Sequence, residues 1–281
     1  MQYQWYPGHM VKAKRLIKEN LKLVDVVLEL TDGRIPLSSR NPDIDEIIGS
    51  KPRIILLSKS DLADKTKTDQ WIKHFSRLGH KCVEVDLIKG TGLKKVLSYA
   101  KDIGTEKHKN QLLKGRLVRP TRMMILGIPN VGKSTLINKI SNRSAAKTGD
   151  KPGVTKIKQW IKTQNNLEML DTPGVLWPKF EDETVGFKLA VTGAIKDEIV
   201  NTEDMAYRLI QYLFENYPGL LNTRYQVEEN LAPPEYLQAL SDKRGFLLQG
   251  SVVDYMKGAE VLIKEFRQGR LGRITLDDPQ K

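Results

Sequence analysis

The run Gly127-Ile-Pro-Asn-Val-Gly-Lys-Ser134 fits G-x-x-x-x-G-K-[ST], a spacing that wraps backbone amides around phosphate oxygens. It follows the apolar stretch Met123–Leu126 and precedes the helical pattern Thr135–Ile140, which is the strand, loop, helix context such a loop requires. Gly127 and Gly132 let the backbone close on an anion, and the helix N-terminus adds partial positive charge. Lys133 then reaches the β- and γ-phosphates of a nucleotide, and the Ser134 hydroxyl is a hard oxygen ligand for Mg²⁺. Asn130, Val131, Gly132, Lys133, Ser134 and Thr135 are the expected phosphate-side contacts.

Downstream, Asp171-Thr-Pro-Gly174 follows a second apolar strand pattern. It offers a carboxylate that acts on Mg²⁺, directly or through water, and a Gly174 amide that senses the γ-phosphate. Thr155 lies between these two runs, where a second Mg²⁺ ligand is needed; an ordinary turn threonine is the other reading. Base choice rests on Ser58-Lys59-Ser60-Asp61, which resembles the Asn-Lys-x-Asp guanine motif of GTPases. The Asp61 carboxylate accepts from the two donors on guanine's edge, where adenine opposes it with an acceptor, and the Lys59 stem stacks on the ring. Ser58 replaces the motif's asparagine, which puts in doubt an amide contact to guanine N7 and to the phosphate loop. Because of Ser58 an ATPase stays open, and because of Asn130 a transfer-RNA-modifying GTPase does; the sequence shows no catalytic cysteine for a modification partner.

The elements that must carry these residues alternate. A helix is expected from about His9 to Leu23, then strands at Val24–Leu30 and Arg53–Leu57 with a short helix at Asp43–Ile48 between them. A helix at Lys67–Leu78, a strand at Lys81–Val85 and a helix at Leu93–Ile103 follow. Gly104–Arg119 reads as an exposed helix or a linker, and strands at Gln159–Thr163 and Leu167–Leu170 complete the set. Strands alternating with helices predict an α/β fold with a doubly wound, mostly parallel sheet. Beyond Lys179 helical periodicity dominates and predicts an all-α C-terminal domain. The expected domains are therefore 1–178 and 179–281. The net charge of +12 is uneven, with 33 Lys/Arg against 17 Asp/Glu in residues 1–178 and 13 against 17 in 179–281. A basic front of this kind attracts a polyanion such as nucleic acid; a solvated surface is the alternative. Lys264, Arg267, Arg270 and Arg273 read either as a basic tail touching RNA or as solvated surface. One cysteine, Cys82, excludes an internal disulfide framework, and no apolar stretch reaches the length of a membrane span. A soluble cytoplasmic protein with no membrane partner is expected.

Ordinary GTPases place the guanine motif after the phosphate loop; here it comes before. Together with that order, Trp5–Met10, Arg34–Pro42, Gly127–Thr135, Asp171–Pro178 and Thr192–Ile195 resemble the ribosome biogenesis GTPase A family of circularly permuted bacterial GTPases. The resemblance implies hydrolysis of GTP to GDP late in assembly of the large ribosomal subunit. It also implies a helical domain that helps bind ribosomal RNA. Asp86 and Leu87 occupy the position of the family's last guanine loop, without its usual small polar residues. Val175 stands where many GTPases carry a water-orienting glutamine, so turnover of the isolated chain should be slow. The resemblance implies that His9 takes that catalytic role, beside Lys133, when the ribosomal particle is bound. Asn130 resembles the asparagine of potassium-activated GTPases, making K⁺ a candidate second cation; a tolerated loop residue is the alternative. A competing function is a GTP-gated RNA-binding checkpoint with incidental hydrolysis.

Overall fold

The computed structural model describes residues 7–141, 160–163, 167–170, 182–195, 197 and 200–279. They form two compact units: Gln2–Phe180 together with Asp277–Lys281, and Glu181–Leu276.

The first unit is built on a six-stranded sheet. Its strands in chain order are β1 (Val26–Asp32), β2 (Arg53–Ser58), β3 (Lys81–Glu84), β4 (Thr121–Leu126), β5 (Trp160–Lys162) and β6 (Leu167–Leu170). Their spatial order is β3-β2-β1-β4-β6-β5, parallel throughout except for the antiparallel edge pair β5–β6. Every residue of β1 is buried, and so are β2 and β4 apart from Arg53 and Arg122. That double-sided burial explains why these strands read as unbroken apolar runs rather than alternating ones.

One apolar cluster joins helix α1 (Pro7–Leu21) and α2 (Ile44–Ile48) to the sheet through Ile17, Leu21, Ile44, Ile47, Ile48, Met124 and Leu126. A separate cluster seats α3 (Lys65–Arg77) with Trp71 and Phe75 against Ile55, Leu57 and Cys82. Asp64 caps α3 by accepting from the Lys67 amide at 3.0 Å. Helix α4 (Leu93–Leu113) runs ten residues past the end expected from periodicity. Lys107, one of the residues in that extension, donates to the buried Asp25 carboxylate at 2.6 Å; Arg119 adds bonds of 2.7 and 2.9 Å, and the Arg122 amide one of 2.9 Å. The basic stretch that could have been a linker is therefore tied to the sheet by a charge beneath it. Helix α5 (Lys133–Ser141) follows the phosphate-loop sequence.

The second unit contains α6 (Glu183–Val191), α7 (Thr202–Asn216), α8 (Leu220–Tyr225), α9 (Pro233–Lys243) and α10 (Tyr255–Arg267). Leu209, Leu213, Tyr236, Leu240, Leu262 and Phe266 are fully buried in it. Asp182, Asn201 and Asp254 cap α6, α7 and α10 through their side-chain oxygens. Arg267 donates to the carbonyls of Val191 and Ala190 at 3.0 and 2.8 Å and pairs with Asp197 at 2.6 Å. It closes the C-terminal end of α6, so the expected basic tail loses one of its four members to a structural task.

Residues after Leu276 belong to the sheet unit. The Asp277 carboxylate accepts from the Leu37 and Ser38 amides at 2.9 and 2.7 Å and from the Ser38 hydroxyl at 2.8 Å. Its carbonyl receives the Trp71 indole N–H at 3.2 Å, and Asp278 pairs with Lys67 at 2.7 Å. Asp277 and Asp278 thus pack into the first unit instead of ending the helical one.

Candidate functional site

Loops following β1, β2, β3 and β4 meet at the carboxyl ends of the strands, where ligands bind in open α/β sheets. The approaches are close enough to be read at the glycines. A methyl group on Gly127 would stand 2.5 Å from the Leu30 carbonyl oxygen, and one on Gly33 would stand 2.8 Å from that of Ser58. Ser60 donates its amide to the Val85 carbonyl at 3.3 Å, linking the segment after β2 to the one after β3. Leu87 then reaches the phosphate loop: a methyl group on Gly132, which has φ +102°, would meet its Cδ1 at 2.7 Å. Ser58–Asp61, Asp86–Leu87 and Gly127–Thr135, far apart in sequence and reversed from the ordinary order, therefore surround one place.

Within that place each side chain has a definite position. Ser58 is fully buried and donates to the Thr31 carbonyl at 2.7 Å. Lys59 has φ +53°, uncommon for a residue with a side chain, and its Nζ lies 2.9 Å from Asp32 Oδ2. Asp61 is exposed. The Asp86 carboxylate accepts from the Ile88 and Lys89 amides at 2.8 and 2.9 Å, which stiffens its own loop. Asn130 has φ +61°, a conformation asparagine tolerates better than most residues. Val131 is buried, and Gly132, Lys133, Ser134 and Thr135 are partly buried at the start of α5. Lys133 Nζ donates to the Ile128 carbonyl at 2.6 Å, lying back across its own loop.

Thr155, Asp171, Gly174 and Val175 lie outside the described residues. His9 falls in the first turn of α1, with its side chain outside them. Among the described residues no group of three His, Cys, Asp or Glu side chains is arranged to hold a metal. The oxygen donor offered there is the Ser134 hydroxyl, which suits Mg²⁺ because that ion takes most of its ligands from phosphates and water rather than from a protein cage.

Sequence reasoning gave no role to Asp32 and Arg34. Asp32 ends β1 beside Ser58, almost wholly buried, and takes a two-pronged pair from Arg34, with Nε at 3.0 Å and Nη2 at 2.7 Å. Burial alone would raise the Asp32 pKa, but the charges of Arg34 and Lys59 outweigh it and hold the carboxyl below its usual range. The available signal was an Asp-x-Arg at the end of an apolar strand, where an unpaired carboxylate would be costly.

Residues 122–233 match a family described as 50S ribosome-binding GTPase. The whole chain is 50% identical to ribosome biogenesis GTPase A of Priestia megaterium, over 98% of that protein. The chain belongs to the ribosome biogenesis GTPase A family. Solved structures agree across both units. A GDP-bound YlqF structure is 27% identical with a TM-score of 0.70, covering 95% of this chain and 100% of that one. The GNP-bound YlqF from T. maritima is 28% identical with a TM-score of 0.65, covering 96% and 99%. The mostly parallel α/β fold is thus that of a family of ribosome biogenesis GTPases, and GTP is the nucleotide the family's name assigns. Among the described residues no helix is long and apolar enough to cross a membrane.

Proposed function

We propose that this GTPase acts late in assembly of the bacterial large ribosomal subunit, binds its RNA, and hydrolyses Mg²⁺·GTP fastest on the particle. The convergence of Ser58–Asp61, Asp86–Leu87 and Gly127–Thr135 at one end of the sheet carries this reading. Asp61 would take guanine's N1 and N2 donors, the Asp86–Leu87 loop would border the base, and Asn130–Thr135 would cradle the phosphates. Ser134, Thr155 and Asp171 would hold Mg²⁺, which neutralises charge on the phosphates, while Gly174 would sense the γ-phosphate. Asn130 would add K⁺; its left-handed backbone supplies a second reason for asparagine there. The sheet unit, Gln2–Phe180 with Asp277–Lys281, would form the GTPase domain and Glu181–Leu276 the RNA-binding domain, with the work done in the cytoplasm.

The Val175 side chain cannot hydrogen-bond water, so the attacking water must be oriented by another group, and His9 is the candidate. Single-turnover hydrolysis measured with and without purified large-subunit particles tests this. Stimulation of many-fold, lost in His9→Ala while GTP binding and particle binding persist, is the expected result. An unchanged rate on the particle would leave a GTP-gated RNA-binding protein instead.

A further inference from the structure

We infer that Asp32 is a positioning residue for the guanine site, anchoring the Lys59 side chain so that its aliphatic stem is set in place before a nucleotide arrives. This inference rests on the reading that Lys59 lies against the base. The anchor is itself held on several sides. Asp32 Oδ1 accepts from the Arg34 amide and Nε, both at 3.0 Å, and Oδ2 accepts from Arg34 Nη2 at 2.7 Å and Lys59 Nζ at 2.9 Å. The Asp32 amide donates to Ser39 Oγ at 3.0 Å, and Ser39 Oγ donates to the Ile35 carbonyl at 2.7 Å. The carboxylate is therefore fixed by its own loop. Lys59 is the one partner in this cluster with a partly exposed side chain, at 27% against 2% for Arg34.

Two features make such an anchor useful here. Lysine carries large rotamer entropy, and a stacking platform made of it contributes to affinity only after that freedom is lost. An ion pair to a buried, immobile carboxylate removes the freedom in advance. Position 58 sharpens the need. The Ser58 hydroxyl is committed to the Thr31 carbonyl, so it does not make the amide contacts an asparagine would make. Rigidity of the motif then comes from the neighbouring strand end, through Asp32. Asp61 governs which base is accepted, whereas Asp32 governs how tightly any base stacking on Lys59 is held.

The test is GDP binding by titration calorimetry to the full chain carrying Lys59→Met, Lys59→Arg or Asp32→Asn. Methionine keeps an apolar stem and removes the cation; arginine keeps a cation able to reach Asp32. We expect Lys59→Met to weaken GDP binding about tenfold, on the scale of a charge-assisted hydrogen bond at a partly exposed site, and Lys59→Arg to stay within about twofold of the parent. Asp32→Asn should weaken binding by a similar factor in the parent and add almost nothing in the Lys59→Met background. Inosine and guanosine diphosphates should lose the same factor, since stacking does not read the exocyclic amine. In turnover the loss should fall on KM for GTP rather than on kcat. Wild-type affinity in Lys59→Met, or equal losses from Asp32→Asn in both backgrounds, would overturn the proposal. The Lys59 pair of variants decides the matter even where Asp32→Asn does not fold. If Lys59→Met and Asp61→Asn both bind GDP normally, the guanine-site reading itself fails, and the anchor with it.

Discussion

At the scale of single residues the site separates chemistry that the chain's residue types declare from geometry that only folding creates. Asp61 belongs to the first kind. A carboxylate accepts both donors on guanine's edge, and its exposure at the strand end leaves it open to a base. Asp61→Asn presents one acceptor and one donor, which suits xanthine, whose edge carries N1–H beside a carbonyl, better than guanine. The expected outcome is a loss of GTP affinity of at least about tenfold, the scale of a hydrogen bond to a charged group, with a gain for XTP; competition binding with both nucleotides checks it. Opposite results for the two nucleotides would separate base reading from general damage. Asp32 and Leu87 belong to the second kind. Nothing in Asp86-Leu87 announces a contact with the phosphate loop, because the approach of Leu87 to Gly132 exists only once β3 and β4 lie in one sheet.

Elements were legible where one local pattern dominated. The buried strands β1, β2 and β4 showed themselves as apolar runs, and their order with the helices gave the parallel sheet. Helix α4 was legible outright only in its first half and beyond it read as either an exposed helix or a linker, since what holds the continuation is Lys107 meeting Asp25, eighty-two positions away. That meeting has a consequence for acid stability. Burial raises the Asp25 pKa, but hydrogen bonds from Arg119, Arg122 and Lys107 more than reverse it, so the folded pKa lies below the ordinary carboxylate value. A depressed folded pKa means stability that is present at neutral pH and is lost as pH falls below about 4, where the unfolded chain takes up the proton first. Asp25→Asn should therefore unfold at a lower temperature than the parent at pH 7. The gap should narrow as the pH is lowered below about 4, as followed by circular dichroism. A constant gap across that range would mean that the carboxylate's charge contributes nothing.

At the scale of the whole molecule the chain leaves the sheet unit after Phe180, builds five helices among the described residues, and re-enters the sheet unit at Asp277. A sequence reading that divides the chain into a front and a back half has no means of finding that return, because Asp277 lies 239 positions from the Ser38 it binds. The segment Arg34–Pro42 is consequently held from both ends of the chain's length. Arg34 pairs with Asp32 beside the guanine motif, and Leu37 and Ser38 are capped by the Asp277 carboxylate. Because that carboxylate satisfies the buried Ser38 amide and hydroxyl and the partly buried Leu37 amide, removing it leaves three polar groups without that acceptor. Asp277→Ala should cost about 1–3 kcal/mol, the usual penalty for orphaned buried donors. The loss should register in the unit to which Asp277 belongs. Hydrogen exchange followed by mass spectrometry would show faster exchange in peptides covering 33–42, with protection of α7, α9 and α10 unchanged. Faster exchange confined to the helical peptides would mean that the C-terminal residues serve the helical unit after all. The outcome also decides what truncation does: a chain ended at Leu276 keeps every described helix, yet should lose order in the sheet unit, beside the proposed nucleotide site.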